Sequence, residues 1–97
     1  MHVIARRTLV EFWTTHPDSE EALKAWYHEA DGATWAKPVD VKKHHGSASI
    51  INSERLVFNV CGNKYRLIVR INYASQTVFI RFVGTHKEYD KVDAETI

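Results

Sequence analysis

Cysteine is nearly absent from this chain. Cys61 is the only cysteine among 97 residues, so an internal disulfide is impossible and no paired-cysteine zinc motif is present. A chain of this kind fits a reducing compartment, and we expect it in the cytoplasm. The residue itself is most simply interpreted as a small hydrophobe within a strand.

Long apolar segments are also missing. No run approaches the roughly 20 residues that span a bilayer, and the start, Met1–Arg7, lacks the charged-then-apolar order of a signal peptide. We therefore expect no contact with a membrane. Since 97 residues leave room for one hydrophobic core, we expect a single domain over residues 1–97.

The sequence has no metal-binding cluster, phosphate-binding glycine loop or nucleophile elbow. His44 and His45 are adjacent rather than four apart on a helix, and no carboxylate lies near them in sequence. We therefore expect no metal and no cofactor.

Net charge is only +1, but it is distributed unevenly. Residues 1–36 carry three Lys/Arg and six Asp/Glu, residues 37–72 carry seven and two, and residues 73–97 carry three and four. A polyanion responds to a local basic surface rather than to the total charge. The middle third therefore favours a nucleic-acid partner, although an ordinary solvated surface would also explain it.

Apolar spacing predicts a short opening strand over Met1–Ala5 and then two helices. Thr8 is the expected cap of the first helix, which Pro17 ends. Asp18 and Glu21 have the spacing of a capping box for the second helix. The apolar stripes of the two helices are Leu9, Phe12 and Trp13, then Leu23, Trp26, Tyr27 and Ala30, with Gly32 as the C-terminal glycine.

After a connector over residues 33–47, with room for one helical turn, the period changes to 2. The alternation predicts strands over residues 55–60, 65–71 and 78–83, and Gly62-Asn63 is a hairpin signal. The expected fold is α+β, with the short N-terminal strand and a helical hairpin packed on an antiparallel sheet of at least three strands.

The hairpin turn also predicts which side chains share a face. With Gly62 and Asn63 in the loop, Arg66 lies opposite Asn59. If Val78, Ile80 and Phe82 pack beneath the helices, the other sheet face carries four arginines: Arg55, Arg66, Arg70 and Arg81. Like charges opposite each other are unfavourable by up to about 1 kcal/mol per pair. An anionic ligand would compensate for them, as would pairing with Glu54, Glu88 or Asp90.

Residues 85–90 follow the last strand and are rich in ionisable side chains. Arginine, lysine, histidine and tyrosine without a metal cluster suit metal-independent RNA cleavage. In that reaction the 2′-hydroxyl attacks the adjacent phosphate with the help of a general base and a general acid. Cations stabilise the extra negative charge that develops on the phosphate.

Two blocks carry a resemblance to a known family. Residues 58–67 (FNVCGNKYRL) and 82–90 (FVGTHKEYD) resemble the signature blocks of the HigB-type toxins of the RelE superfamily. The resemblance implies a RelE-like fold and mRNA cleavage, usually in the ribosomal A site. It also implies a HigA-like helix-turn-helix antitoxin from an adjacent gene, with operator DNA bound only through the complex.

Site roles are likewise implied by the resemblance. Arg66 matches the strand arginine that holds the scissile phosphate, Tyr89 matches a late tyrosine that assists proton transfer, and His86 lies where relatives place an arginine or histidine. Arg81 and Lys87 are further catalytic candidates, for charge stabilisation. The RNA-binding candidates are Lys42, Lys43, His44, His45, Arg55, Lys64 and Arg70.

One departure from the family pattern leaves the general base open. RelE itself carries two basic residues ahead of its strand arginine, where residues 51–55 here read INSER. Two other classes therefore remain: a catalytically silent member that only binds RNA or its antitoxin, and a small protein-binding adaptor of the same fold.

Overall fold

The computed structural model describes residues 1–97 and has the expected α+β architecture. Its helices are α1 (Arg6–Thr15), α2 (Glu20–Gly32), α3 (Pro38–His44) and α4 (His86–Tyr89), and its strands are β1 (His2–Ile4), β2 (Ser49–Ile50), β3 (Arg55–Val60), β4 (Tyr65–Asn72) and β5 (Thr77–Thr85). The longest helix, α2, has 13 residues, and none of the helices combines the length and hydropathy needed to cross a membrane.

The five strands form one sheet in the order β1-β5-β4-β3-β2. The three predicted strands are its centre, and they pair antiparallel as expected. The opening strand β1 lies parallel to β5, which makes the sheet mixed, and the two-residue strand β2 forms the other edge beside β3.

The register of the central hairpin agrees with the prediction. Asn59 lies opposite Arg66, and Arg55 lies opposite Arg70. Strand β3 ends at Val60 and β4 begins at Tyr65. The loop between them has left-handed backbone at Cys61 (φ 53°) and Gly62 (φ 65°). Glycine adopts this conformation without steric cost, which explains the turn signal in the sequence.

The face prediction for β5 was wrong at Phe82. Ile80 lies opposite Val69 and Phe82 lies opposite Ile68, so Arg81 is an extra residue at a β-bulge. A bulge shifts the side-chain alternation by one position. Phe82 therefore lies on the face of Arg66, while Val78 and Ile80 stay on the helix face as predicted.

The predicted apolar stripes form the main core between the helices and the sheet. Leu9 of α1 and Leu23 of α2 are completely buried, and so are Leu67 and Val69 of β4. Burying each such side chain stabilises the fold by about 1.5–3 kcal/mol. Trp35, from the connector, is also buried here.

The predicted helix caps were wrong in detail. Helix α1 begins at Arg6 after an extended Ala5, so Thr8 lies inside the helix. Asp18 belongs to a 3-10 turn, Pro17–Ser19, and no side chain caps α2. The Asp18 carboxylate binds instead to residues of the hairpin, described below. Helix α2 extends to Gly32 and is capped by Ala33, and α3 has seven residues, more than the single turn expected.

Candidate functional site

The four predicted strand arginines differ in what holds their side chains. Arg70 Nε lies 3.1 Å from Glu54 Oε2, and its guanidinium lies over the ring of Phe79. Arg55 and Arg81 both donate to the main-chain carbonyl of Ile97, at 2.5 and 3.1 Å. Three of the four arginines therefore pair with a carboxylate or hold the C-terminal segment, so the predicted basic sheet face is not open along its whole length.

The C-terminal segment explains much of this difference. Residues 90–97 follow α4, and Arg55 also donates to the carbonyl of Ala94 at 3.3 Å. Val57 and Ile68 lie on the same sheet face as these arginines and are 4 % and 0 % exposed. The face opposite the helices is thus partly covered by the chain itself, and its arginines near the tail anchor that cover.

Arg66 is the strand arginine that neither pairs with a carboxylate nor holds the C-terminal segment. Its guanidinium donates to the main-chain carbonyls of Asn63 and Tyr65, at 3.1 and 3.4 Å. The same group lies 5.8 Å from the centroid of the Tyr89 ring, in cation–π contact. Two carbonyls and an aromatic ring leave its positive charge unneutralised. A guanidinium held in this way is suited to binding a phosphate through two parallel hydrogen bonds.

Helix α4 packs against the ends of β4 and β5 and carries His86, Lys87 and Tyr89, of which Tyr89 contacts Arg66. Its first turn is fixed by a capping box, in which Thr85 Oγ1 accepts from the Glu88 main chain and Glu88 Oε1 accepts from the Thr85 main chain. These hydrogen bonds lower the pKa of Glu88 below its ordinary value. The carboxylate is therefore committed to holding the helix start.

Gly84 allows this start to lie close to the sheet. A Cβ atom at this position would lie 2.5 Å from Phe82 Cζ and 3.1 Å from Glu88 Oε1. Gly84 also faces Arg66 across the strand pair. The glycine thus sets the distance between the strand that carries Arg66 and the helix that carries Tyr89.

His86 is exposed and has one side-chain neighbour. Its Nδ1 lies 3.4 Å from Asp90 Oδ2, one helical turn later. This contact leaves Nε2 as the ring nitrogen available to a ligand. The main-chain amide of His86 donates to the carbonyl of Lys64, which ties α4 to the hairpin loop. Lys87 is exposed and forms no ion pair.

Lys64 lies beside this site, but its charge is neutralised by Asp18. Asp18 was predicted to cap α2. The Asp18 carboxylate binds the Lys64 ammonium and accepts from the Tyr65 hydroxyl at 2.6 Å. The hydrogen bond from Lys64, and then that from Tyr65, lowers the pKa of Asp18, while Asp18 in turn raises the pKa of both partners. Asp18 therefore clamps the turn between α1 and α2 to the loop that precedes Arg66. The capping-box spacing of Asp18 had predicted a local role as a helix cap instead.

The basic run at the end of α3 lies at a different place, beside α2 and β3. Lys42 donates to the carbonyl of Ala48 at 2.7 Å, and His44 Nδ1 accepts from Trp35 Nε1 at 3.3 Å. His45 Nε2 lies 3.1 Å from Glu29, and burial lowers the pKa of the His45 imidazole. Lys43 alone is exposed without a partner. None of these four basic residues of α3 and its C-terminal end contacts Arg66, His86 or Tyr89.

The arrangement can bind a phosphate and move protons near it. Arg66 supplies fixed positive charge, while His86 Nε2 and the Tyr89 hydroxyl can each donate or accept a proton during a reaction. No three His, Cys, Asp or Glu side chains are grouped so that they could hold a metal ion. The chemistry these residues support is acid–base catalysis at a phosphate.

Comparison with known proteins identifies the family of this chain. A family model described as the HigB toxin, the RelE-like toxic component of a toxin-antitoxin system, matches residues 19–92. The chain is 32 % identical over 92 residues to the mRNA interferase toxin HigB of Escherichia coli K12, covering 93 % of this chain and 88 % of that protein. It is 24 % identical over 94 residues to the mRNA interferase HigB of Escherichia coli O6:H1, covering 95 % and 91 %.

The matched region contains α2, α4 and the whole of the sheet except β1. It therefore includes Arg66 of β4 and both His86 and Tyr89 of α4. The expected family and fold are thereby confirmed: the chain belongs to the HigB toxin family, the RelE-like toxic components of toxin-antitoxin systems.

Proposed function

We propose that this chain is an mRNA endoribonuclease whose active site is formed by Arg66, His86 and Tyr89. One observation carries the proposal: Arg66 has no carboxylate partner and lies against the ring of Tyr89, 5.8 Å from its centroid. The family, and the activity for which the similar proteins are named, mRNA interferase, support the same conclusion.

In the proposed reaction the 2′-hydroxyl attacks the adjacent phosphate and the 5′-oxygen leaves. Arg66 holds the scissile phosphate and stabilises the charge that builds up on it. His86 Nε2 and the Tyr89 hydroxyl divide the two proton transfers, one from the 2′-oxygen and one to the 5′-oxygen. Asp90 orients the imidazole through Nδ1, at 3.4 Å. Lys87 adds positive charge without a competing carboxylate.

The remaining candidates have supporting roles in this proposal. Lys64 and Arg70 are exposed but paired with carboxylates, so they would contact RNA at the margin of the site. Arg55 and Arg81 hold the C-terminal segment through Ile97, and RNA would compete with that contact. Lys43 is free to bind a phosphate farther along the strand.

We also propose a cellular setting for this activity. We infer that residues 1–97 act as one toxin domain in the cytoplasm, on mRNA that occupies the ribosome. A HigA-like helix-turn-helix antitoxin would neutralise the toxin and carry it to operator DNA. Family membership supports an antitoxin partner and an RNA target.

The activity is tested by expressing the chain without an antitoxin and mapping transcript ends. We expect translation to stop and new ends to appear within coding regions, and we expect Arg66→Ala to abolish both. Growth arrest without new ends would favour a catalytically silent RNA- or protein-binding adaptor.

Metal independence needs a separate assay, because ribosomes themselves require magnesium. Any cleavage of ribosome-free RNA by the purified toxin should persist in EDTA, and fragments from this assay or from ribosomes should carry a 2′,3′-cyclic phosphate or 3′-phosphate. Products that carry 3′-hydroxyls would contradict the 2′-hydroxyl mechanism.

A further inference from the structure

A second concave region lies next to the proposed active site, around the edge of β3. A cavity of about 240 Å³ is bounded by α2, the end of α3 and β3. Its apolar walls include Trp26 and Phe58, whose rings meet edge to face at a centroid distance of 5.4 Å. Its polar walls include His44, Ser47 and Asn59.

This cavity adjoins a second concavity beside the hairpin loop that precedes Arg66. The second concavity is lined by Ser47, Asn59, Gly62 and Asn63, and so shares Ser47 and Asn59 with the first. The carbonyl of Asn63 accepts a hydrogen bond from Arg66. Asn59 is also the direct cross-strand partner of Arg66. A polymer that binds Arg66 can therefore reach the cavity by passing Asn59.

The edge of β3 is open along this path. Strand β2 pairs only with Leu56 and Val57, which leaves β3 without a strand partner on that side from Phe58 onward. Asn59 is exposed, and its side-chain amide makes no hydrogen bond within the protein. A free amide offers both a donor and an acceptor to a ligand.

The polar groups deeper in the cavity are also suited to a ligand. The indole N–H of Trp26 is buried without a partner. His44 Nδ1 accepts from Trp35, which places the proton of the neutral ring on Nε2. The side chains of Lys42 and Lys43 belong to the same helical turn and add positive charge nearby, while the Glu29 carboxylate on the cavity wall lies beside His45.

We propose that this cavity binds the base of a nucleotide next to the scissile phosphate, and that Asn59 reads the edge of that base. The inference rests on the proposed function and deepens it. The volume lies below the roughly 300–1,000 Å³ of small-molecule sites, so it suits one planar ring rather than a whole nucleoside. Aromatic walls and a free amide are the means by which proteins bind unstacked RNA bases.

A protein partner's side chain is the competing occupant. The position of Asn59 favours RNA, because the residue lies directly opposite the arginine that holds the phosphate. The positive charges of Lys42 and Lys43 favour the phosphate backbone of RNA at the opening of the cavity. Binding of an antitoxin segment would require neither the position of Asn59 opposite Arg66 nor the positive charge of Lys42 and Lys43.

The test compares cut-site selectivity in cells that express wild type, Asn59→Ala or Ala25→Leu without antitoxin. Asn59→Ala removes the free amide, and Ala25→Leu places a larger side chain at the cavity wall, from an exposed position of α2. Asn72→Ala is the control for loss of an exposed asparagine away from the cavity; Asn72 lies at the far end of β4, where its Oδ1 accepts from the Ser75 main chain. Melting temperatures establish that each variant is folded.

We expect wild type to prefer one base at a fixed position beside the cut. In both cavity variants, cleavage at preferred sites should fall about tenfold relative to other sites, which flattens that preference. Asn72→Ala should keep the wild-type profile.

A wild type that cuts, with an unchanged base preference in both folded cavity variants, overturns this inference and leaves the proposed function intact. A wild type that does not cut overturns both. Loss of antitoxin co-purification with an unchanged profile would assign the cavity to the partner protein instead.

Discussion

The guanidinium of Arg66 lies against the ring of Tyr89, with its central carbon 5.8 Å from the ring centroid. The two residues come from different elements, β4 and α4, and lie 23 positions apart in sequence. Cation–π contact orients the guanidinium without neutralising it, which a carboxylate partner would do. The proposed phosphate-binding group and the proposed proton carrier thus hold each other in position.

Replacing Arg66 by alanine should remove activity with little effect on stability. The side chain lies at the surface and contributes charge rather than core packing, so the melting temperature should stay close to that of wild type. Loss of one electrostatic stabiliser costs about 10²–10³ in rate. Arg66→Lys should recover only part of it, because an ammonium lacks the planar fork.

Arg70→Ala is the matched control for this variant. Arg70 lies on the same face of the same strand but is paired with Glu54. It should retain most of the cleavage rate, measured on the same RNA. Equal losses in the two variants would mean that general charge, and not the position of Arg66, matters.

Two substitutions of Tyr89 should distinguish its role in positioning Arg66 from its role in proton transfer. Tyr89→Phe keeps the ring against Arg66 but removes the hydroxyl, so the cleavage rate should fall about 10²–10⁴-fold while RNA affinity is retained. Tyr89→Ala removes the ring as well and should also weaken RNA binding. Single-turnover rates and binding constants measured side by side distinguish the two effects; a fully active Tyr89→Phe would exclude the hydroxyl from the chemistry.

Local patterns predicted the position of Arg66 but not the surroundings of the other arginines. The period-2 alternation and the Gly62-Asn63 signal were sufficient for the hairpin register, because both act over a few residues. The bulge at Arg81 adds one residue to β5, and no feature of residues 78–83 marks it. Phe82 was therefore assigned to the wrong face.

Long-range contacts account for the other differences. Arg55 and Arg81 bind the carbonyl of Ile97, 42 and 16 positions away, and a main-chain acceptor leaves no mark in the sequence. Asp18 had a plausible local role as a helix cap, but its partners Lys64 and Tyr65 are 46 and 47 positions away. Only the folded chain brings these groups together.

Gly84→Ala should disturb the site through backbone spacing. The added methyl group would meet Phe82 and Glu88, at the start of α4. Overpacking of this kind costs about 1–3 kcal/mol, and displacement of α4 should lower the cleavage rate as well. Gly46→Ala is the control, since nothing lies within 4 Å of a Cβ there. Denaturant unfolding and cleavage assays should leave Gly46→Ala close to wild type; a Gly84→Ala variant that matches it would refute the close-approach argument.

The Asp18 clamp predicts a pH dependence of stability. The pKa of Asp18 is lowered in the folded chain, chiefly by the hydrogen bond from Lys64. Its stabilisation should therefore be present above the ordinary carboxyl pKa, near 4, and should be lost as the pH falls through the lower folded value. Asp18→Asn should be less stable than wild type at pH 7, and the difference should shrink below pH 4.

Glu21→Gln provides the control for that measurement. Glu21 is an exposed carboxylate three residues away that forms no ion pair. Urea unfolding of the three proteins between pH 3 and pH 7 should show the pH-dependent difference only for Asp18→Asn. A constant difference across this range would show that the carboxylate charge of Asp18 contributes nothing.

The most direct test of the central claim is the chemistry of the transcript ends made in cells by wild type and by Arg66→Ala, each induced without antitoxin. Cleavage by 2′-hydroxyl attack leaves a 5′-hydroxyl on the downstream fragment. We predict new 5′-hydroxyl ends within coding regions for wild type, and none for Arg66→Ala at equal protein levels. New ends that carry 5′-phosphates, or the same ends in both strains, would contradict an active site built on Arg66, His86 and Tyr89.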